Sequence, residues 1–162
     1  MRRLVALVFA CALGGGVAYA HIMVSPPESK AGVSQNYELR VHNEAKVATT
    51  SLDLEIPEGI TVLDVAAPAT GSYTTTKTGT RITAVSWQVE GPSNKYVALK
   101  FTAKNPEGAK EVRWNVRQRL ADGSIVEWSD KPGATEKASV TKISAATSPA
   151  ESSKSEPEHK SE

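Results

Sequence analysis

Tyr37-Glu38-Leu39-Arg40-Val41-His42 puts apolar side chains at 37, 39 and 41 and polar ones at 38, 40 and 42. A repeat of two is the pattern of a β-strand with one dry and one wet face, and helical spacing does not accommodate it. Leu52, Leu54 and Ile56 repeat it against Asp53 and Glu55, and Pro57-Glu58-Gly59 ends that run. Working outward, further strands are expected at 61–66, 72–76, 80–87, 95–104, 110–120 and 124–128. Asp122-Gly123 is the best hairpin signal and predicts a two-residue type I′ turn, because Gly supplies positive φ freely and Asp tolerates it. Asn105-Pro106-Glu107-Gly108 is another turn, and Pro57, Pro68 and Pro92 stop strand hydrogen bonding elsewhere. Strands broken at intervals of about eight to twelve residues predict one all-β antiparallel sandwich or barrel, able to bury a core without disulfides.

The first twenty residues read differently. Arg2 and Arg3 form a basic start, 4–13 an apolar run, and Ala18 and Ala20 provide the small residues that precede a cleavage point. A signal peptide over 1–20 is therefore expected, cut between Ala20 and His21, with a periplasmic or secreted mature protein. The leader takes with it Arg2 and Arg3 and no acid, which turns the formal charge of +1 into −1. No basic stripe is left to argue for nucleic acid. The single cysteine, Cys11, also leaves with the leader, so disulfides and thiolate ligands are excluded from the mature chain. From residue 139 the composition turns to Ser, Ala, Glu, Lys and Pro, which predicts a disordered polar tail over 139–162 behind a folded domain at 21–138. That tail has no apolar run able to span a bilayer.

Cleavage would make His21 the first residue. A free α-amine and the Nδ1 of the same histidine can close a chelate ring on one metal ion, which an internal histidine cannot do because its backbone nitrogen is an amide. The expected site therefore uses nitrogen and oxygen donors, a set that suits copper, zinc or nickel, with Cu(II) favoured by the Irving–Williams order. Glu44 is expected on the wet face of the 38–44 strand together with Arg40 and His42, with Glu28 and Glu55 as reserve carboxylates. His42 reads as an ordinary exposed strand histidine; if it were instead a ligand, the site would take the two-histidine form found in copper oxygenases. Trp87 and Trp114 read as core, while Trp128, at a strand end beside Glu127, suits a functional indole. Met23 reads as packing. No phosphate loop, nucleophile elbow or zincin helix is present, and no enzymatic activity is expected.

Several stretches in order carry a resemblance. His21-Ile22-Met23-Val24-Ser25-Pro26, Glu28, Ala31-Gly32, Arg40-Val41-His42-Asn43-Glu44, Thr49-Thr50-Ser51-Leu52, Leu54, Ile56-Pro57 and Asp122-Gly123-Ser124-Ile125-Val126-Glu127-Trp128 resemble the YcnI-like bacterial copper-binding domain. The resemblance implies an exported sandwich of cupredoxin or immunoglobulin-like architecture that holds Cu(II) in a monohistidine brace. His21 would give amine and imidazole, Glu44 the carboxylate, and Trp128 would lie at the metal. It also implies copper trafficking, sequestration or homeostasis, with copper and another trafficking protein as partners. Two features depart from the family: His42 stands where it often has proline, and a polar tail where it often has a membrane segment.

Overall fold

The computed structural model describes residues 21–43, 46–93, 95–108 and 110–146, and every regular element among them is a strand. In chain order these are β1 (His21–Ser25), β2 (Glu28–Lys30), β3 (Ser34–His42), β4 (Thr49–Glu55), β5 (Thr61–Val65), β6 (Gly71–Thr78), β7 (Arg81–Gly91), β8 (Tyr96–Lys104), β9 (Glu111–Leu120), β10 (Ile125–Trp128) and β11 (Ser139–Ser144). One sheet has the order β1-β3-β8-β5; the other runs β2-β11-β9-β4-β7-β6, with β10 paired to β9. The fold is the expected all-β sandwich. The leader at 1–20, the carboxylate Glu44 and the tail from 147 onward lie outside the described residues.

The period of two decides the core. Tyr37, Leu39 and Val41 of β3 are buried, as are Leu52 and Leu54 of β4, Val85 and Trp87 of β7, and Val112, Trp114 and Val116 of β9. Each large apolar side chain removed from water in this way contributes about 1.5–3 kcal/mol. The two layers meet in an aromatic cluster: Tyr37 lies 5.4 Å from Phe101 and 5.0 Å from Trp114, and Phe101 lies 5.6 Å from Trp114, edge to face. Two buried polar side chains inside pair with each other. Tyr37 donates its hydroxyl to Asn105 Oδ1 at 2.6 Å, and Asn105 Nδ2 donates to Ser29 Oγ and to the Lys30 carbonyl, both at 2.8 Å. Burial pushes the Tyr37 phenol above its ordinary range, with its hydrogen bonding to Ser29 and Asn105 opposing.

Three strands escape the alternation analysis, namely β1, β2 and β11. The tail expected from residue 139 is corrected for its first part: Ser139–Ser144 is β11, antiparallel to β9 and parallel to β2. Its inward residues are Thr141 and Ile143. Thr141 is inside because Trp114 Nε1 donates to its hydroxyl at 3.0 Å, and that hydroxyl donates in turn to the Pro26 carbonyl at 3.2 Å. A hydrogen bond rather than hydropathy buries it. The same strand holds the start of the domain: Val24 N–H donates to Ser139 Oγ at 2.9 Å, and Lys142 N–H to the Pro27 carbonyl at 2.8 Å.

The hairpin between β9 and β10 is present but has another turn. Gly123 N–H donates to the Leu120 carbonyl at 3.0 Å, Leu120 N–H to the Ser124 carbonyl at 2.9 Å, and Gly123 has φ 85°. This is a three-residue loop closing on a left-handed glycine, not a two-residue type I′ turn. The Asp122 carboxylate accepts from Ser124 N–H at 2.9 Å and Ser124 Oγ–H at 2.6 Å, and those bonds hold it below the usual carboxylate range. The side chain therefore selects the longer turn.

Candidate metal centre

His21 opens β1, an edge strand, and pairs directly with His42, the last residue of β3. Ile22 and Val24 take the core face of β1, so the exposed His21 and Met23 stand on the outer face of the four-stranded sheet. His42, opposite the core positions Val41 and Leu39, stands on that face too. Its next neighbour across the sheet is Tyr96, whose ring lies on the His42 ring at 4.3 Å with 19° between planes. His42 is thus half-buried in a row His21, His42, Tyr96 and not the exposed histidine expected. Met23 is 58% exposed, so the expected packing role is corrected as well. The alternation gave each residue's face but not its neighbour across the ladder.

Behind His42 the chain is pinned. Asn43, fully buried, donates its backbone N–H to the Lys95 carbonyl at 3.2 Å and its Nδ2 to the carbonyls of Val47 at 2.9 Å and Gly91 at 3.4 Å. These bonds hold both shoulders of the short segment that contains Glu44. The reserve carboxylates are elsewhere. Glu28 begins β2 opposite Lys142. Glu55 ends β4, where its Oε2 accepts from Lys131 Nζ at 2.7 Å and Asn115 Nδ2 at 3.1 Å, and the lysine holds it below the usual carboxylate range. It lines a groove with Asp53, Arg117, Glu127 and Lys131 on the seven-stranded sheet.

Trp128 ends β10 opposite Val116 and bridges to Glu136. It is 6% exposed and belongs to the core layer, and its Nε1 has no hydrogen-bond acceptor among the described residues. Val24 meets Ser139, Pro26 meets Thr141 and Pro27 meets Lys142, so β11 runs alongside the start of the domain. Trp128 faces Val116, midway along β9, while His21 stands at the outer end of β1 beside His42.

Nitrogen donors dominate this end. Imidazoles at 21 and 42 fit a borderline ion such as copper and not a hard oxygen-seeking one. Among the described residues, which exclude Glu44, no three His, Cys, Asp or Glu side chains form a ready cluster. No helix among them is long and apolar enough to cross a membrane.

The family described as "Domain of unknown function (DUF1775)" matches residues 21–151. The copper-binding protein CutI of Bacillus subtilis is 31% identical over 132 residues, which covers 80% of this chain; the chain spans 65% of that protein's length. Among solved structures, an uncharacterized Nocardia farcinica protein with an immunoglobulin-like fold superposes with TM-score 0.67 at 17% identity, over 78% of this chain and 99% of that one. A non-cellulosomal cohesin from the archaeon Archaeoglobus fulgidus gives 0.50 at 15% identity, over 79% and 93%. At such identities these two share the fold alone.

Proposed function

The chain belongs to the DUF1775 family, the YcnI-like family its sequence resembles, and from that premise we propose that it is an exported copper-binding protein holding Cu(II) at the N-terminal histidine of its mature form. The observation that carries the reading is a shared boundary: the family match begins at His21, the residue after the expected cleavage junction. Similarity to a protein named for copper binding supports the choice of metal.

In this reading the amine and Nδ1 of His21 chelate the ion, Glu44 adds an anionic oxygen, and Trp128 shields the inner side. The copper supplies no chemistry to a substrate; it is cargo to be carried, stored or handed to another copper-trafficking protein in the periplasm or outside the cell. The exposed aromatics support a carrier over an oxygenase. Tyr73 and Tyr96 stand on different sheets, so they do not form the broad platform that gripping a polysaccharide requires.

The test compares protein beginning at His21 with protein carrying one extra alanine before it. The extra residue turns the amine into an amide, and Cu(II) affinity is expected to fall by about a hundredfold or more, equivalent to about 2.7 kcal/mol. Glu44→Gln in the correctly cleaved protein should weaken binding less and change the electron paramagnetic resonance spectrum. Equal affinity with and without the extra residue would remove the brace.

A further inference from the structure

We propose that His42 supplies a second imidazole to the ion held by His21, with Tyr96 as the residue that positions its ring; this rests on the reading that the amine of His21 binds copper.

Strand alternation fixes where the backbone nitrogen of His21 points. Val24 donates its N–H to Ser139 Oγ, away from β3. Successive residues of a strand turn their N–H and C=O to opposite sides, so His21 and Met23 turn theirs toward β3. Evidence from the other flank agrees. Asn43 donates its N–H toward β8, to the Lys95 carbonyl, so His42 turns its own N–H and C=O toward β1. The paired residues His21 and His42 therefore form a hydrogen-bonded pair, in which the nitrogen of His21 donates to the carbonyl oxygen of His42. After cleavage that nitrogen is the amine. It can keep one hydrogen on the His42 carbonyl while its lone pair goes to the metal.

The position of the ion follows. The amine lies in the plane of the sheet and points at β3, whereas the imidazole of His21 rises from the outer face. A chelate ring joining the two closes above the seam between β1 and β3. His42 stands on the same face at the directly opposite position, where cross-strand Cβ atoms are about 5 Å apart. Its stack on Tyr96 uses the face of the imidazole, and metal coordination uses the edge, so one ring can do both. The stack also restricts the ring before the metal arrives, which lowers the ordering cost of binding. Two imidazoles and an amine give three nitrogens of the tetragonal set that Cu(II) favours, leaving a place for Glu44 or water.

The experiment uses protein beginning at His21, with Cu(II) alone as the probe, and reads affinity by competition and nitrogen couplings by pulsed electron paramagnetic resonance. The wild type should show two coupled imidazoles. His42→Phe keeps a ring for Tyr96 to stack on and removes both donors; it should show one imidazole and bind at least about tenfold more weakly, the lower end of what even an outer partner of a ligand costs. Tyr96→Ala should keep both couplings and weaken binding less. A metal-free melting curve for His42→Phe that matches wild type establishes that folding is not the cause. An unchanged spectrum and affinity within about twofold in that variant would overturn the proposal. The alanine-extended chain separates it from the brace itself: binding lost on extension but indifferent to His42→Phe leaves the brace and removes His42, whereas binding that survives extension and still needs His42 removes the brace and keeps the histidine.

Discussion

Trp114 and Trp128 stand on hydrogen-bonded neighbours, β9 and β10, and both are shut away from water, yet their indole nitrogens live differently. Trp114 donates to Thr141 in the centre of the sandwich, while Trp128 at the strand end has no acceptor among the described residues. The first is an interior group whose cost has been met by a strand recruited from 25 residues further on. The second closes β10 and is the indole proposed to lie at the metal. An unmet N–H is not by itself a mark of function: Trp87, wholly buried in the middle of β7, has none among the described residues either. Trp128 differs in closing its strand, β10, beside the bridge to Glu136.

The difference can be broken by removing one partner at a time. Thr141→Val keeps the shape of the threonine and deletes its hydroxyl, which leaves the Trp114 N–H buried and unpaired; a loss of about 1–3 kcal/mol in chemical denaturation is expected. No measurable loss would mean that the Trp114 bond is unimportant and that the contrast with Trp128 is empty. Trp128→Phe removes a donor already without a partner, so lost packing and relieved desolvation oppose one another. Its cost should stay within about 1 kcal/mol, but the quenching of indole fluorescence that Cu(II) is expected to cause in the wild type should be largely lost. Undiminished quenching would leave Trp128 a core residue only.

The smallest effect is expected on the charged outer face of the seven-stranded sheet. Lys131 holds Glu55 below its ordinary range, so the folded state binds that proton less readily than the unfolded one. The stabilisation is present above the unfolded carboxylate value, about pH 4.3, and fades as the pH falls through the lower folded value. Both side chains are more than half exposed, so solvent screens the pair and Glu55→Gln should cost under about 1 kcal/mol near neutrality and flatten the acid limb of the stability curve slightly. A larger loss, or any change in copper affinity, would contradict the assignment of Glu55 to scaffolding.

Most of the sandwich was legible because strands such as β3 and β4 announce their inner face through Leu, Val and Ile at every second place. The chain's ends were not. β11 presents Thr141 inward, and the reason lies on Trp114, 27 residues away, where no local pattern can express it. The site was legible in part for a similar cause. His21 declared itself through the chemistry of a first residue, but that His42 faces it is a property of register between two strands, and the periodicity of one strand says nothing about which residue of another lies opposite. Asp122-Gly123 marks the place of the turn, but its type depends on the bond from Ser124 N–H to the Asp122 carboxylate, which the left-handed tolerance of the pair does not express.

The bonds from Val24 to Ser139 and from Thr141 to Pro26, each spanning 115 residues, tie the first strand to the last. Loop closure over such a distance waits until nearly all of the intervening sheet exists. The opening strand of this domain therefore spends the whole of synthesis without its final neighbour, and the polypeptide stays threadable until its last strand has emerged.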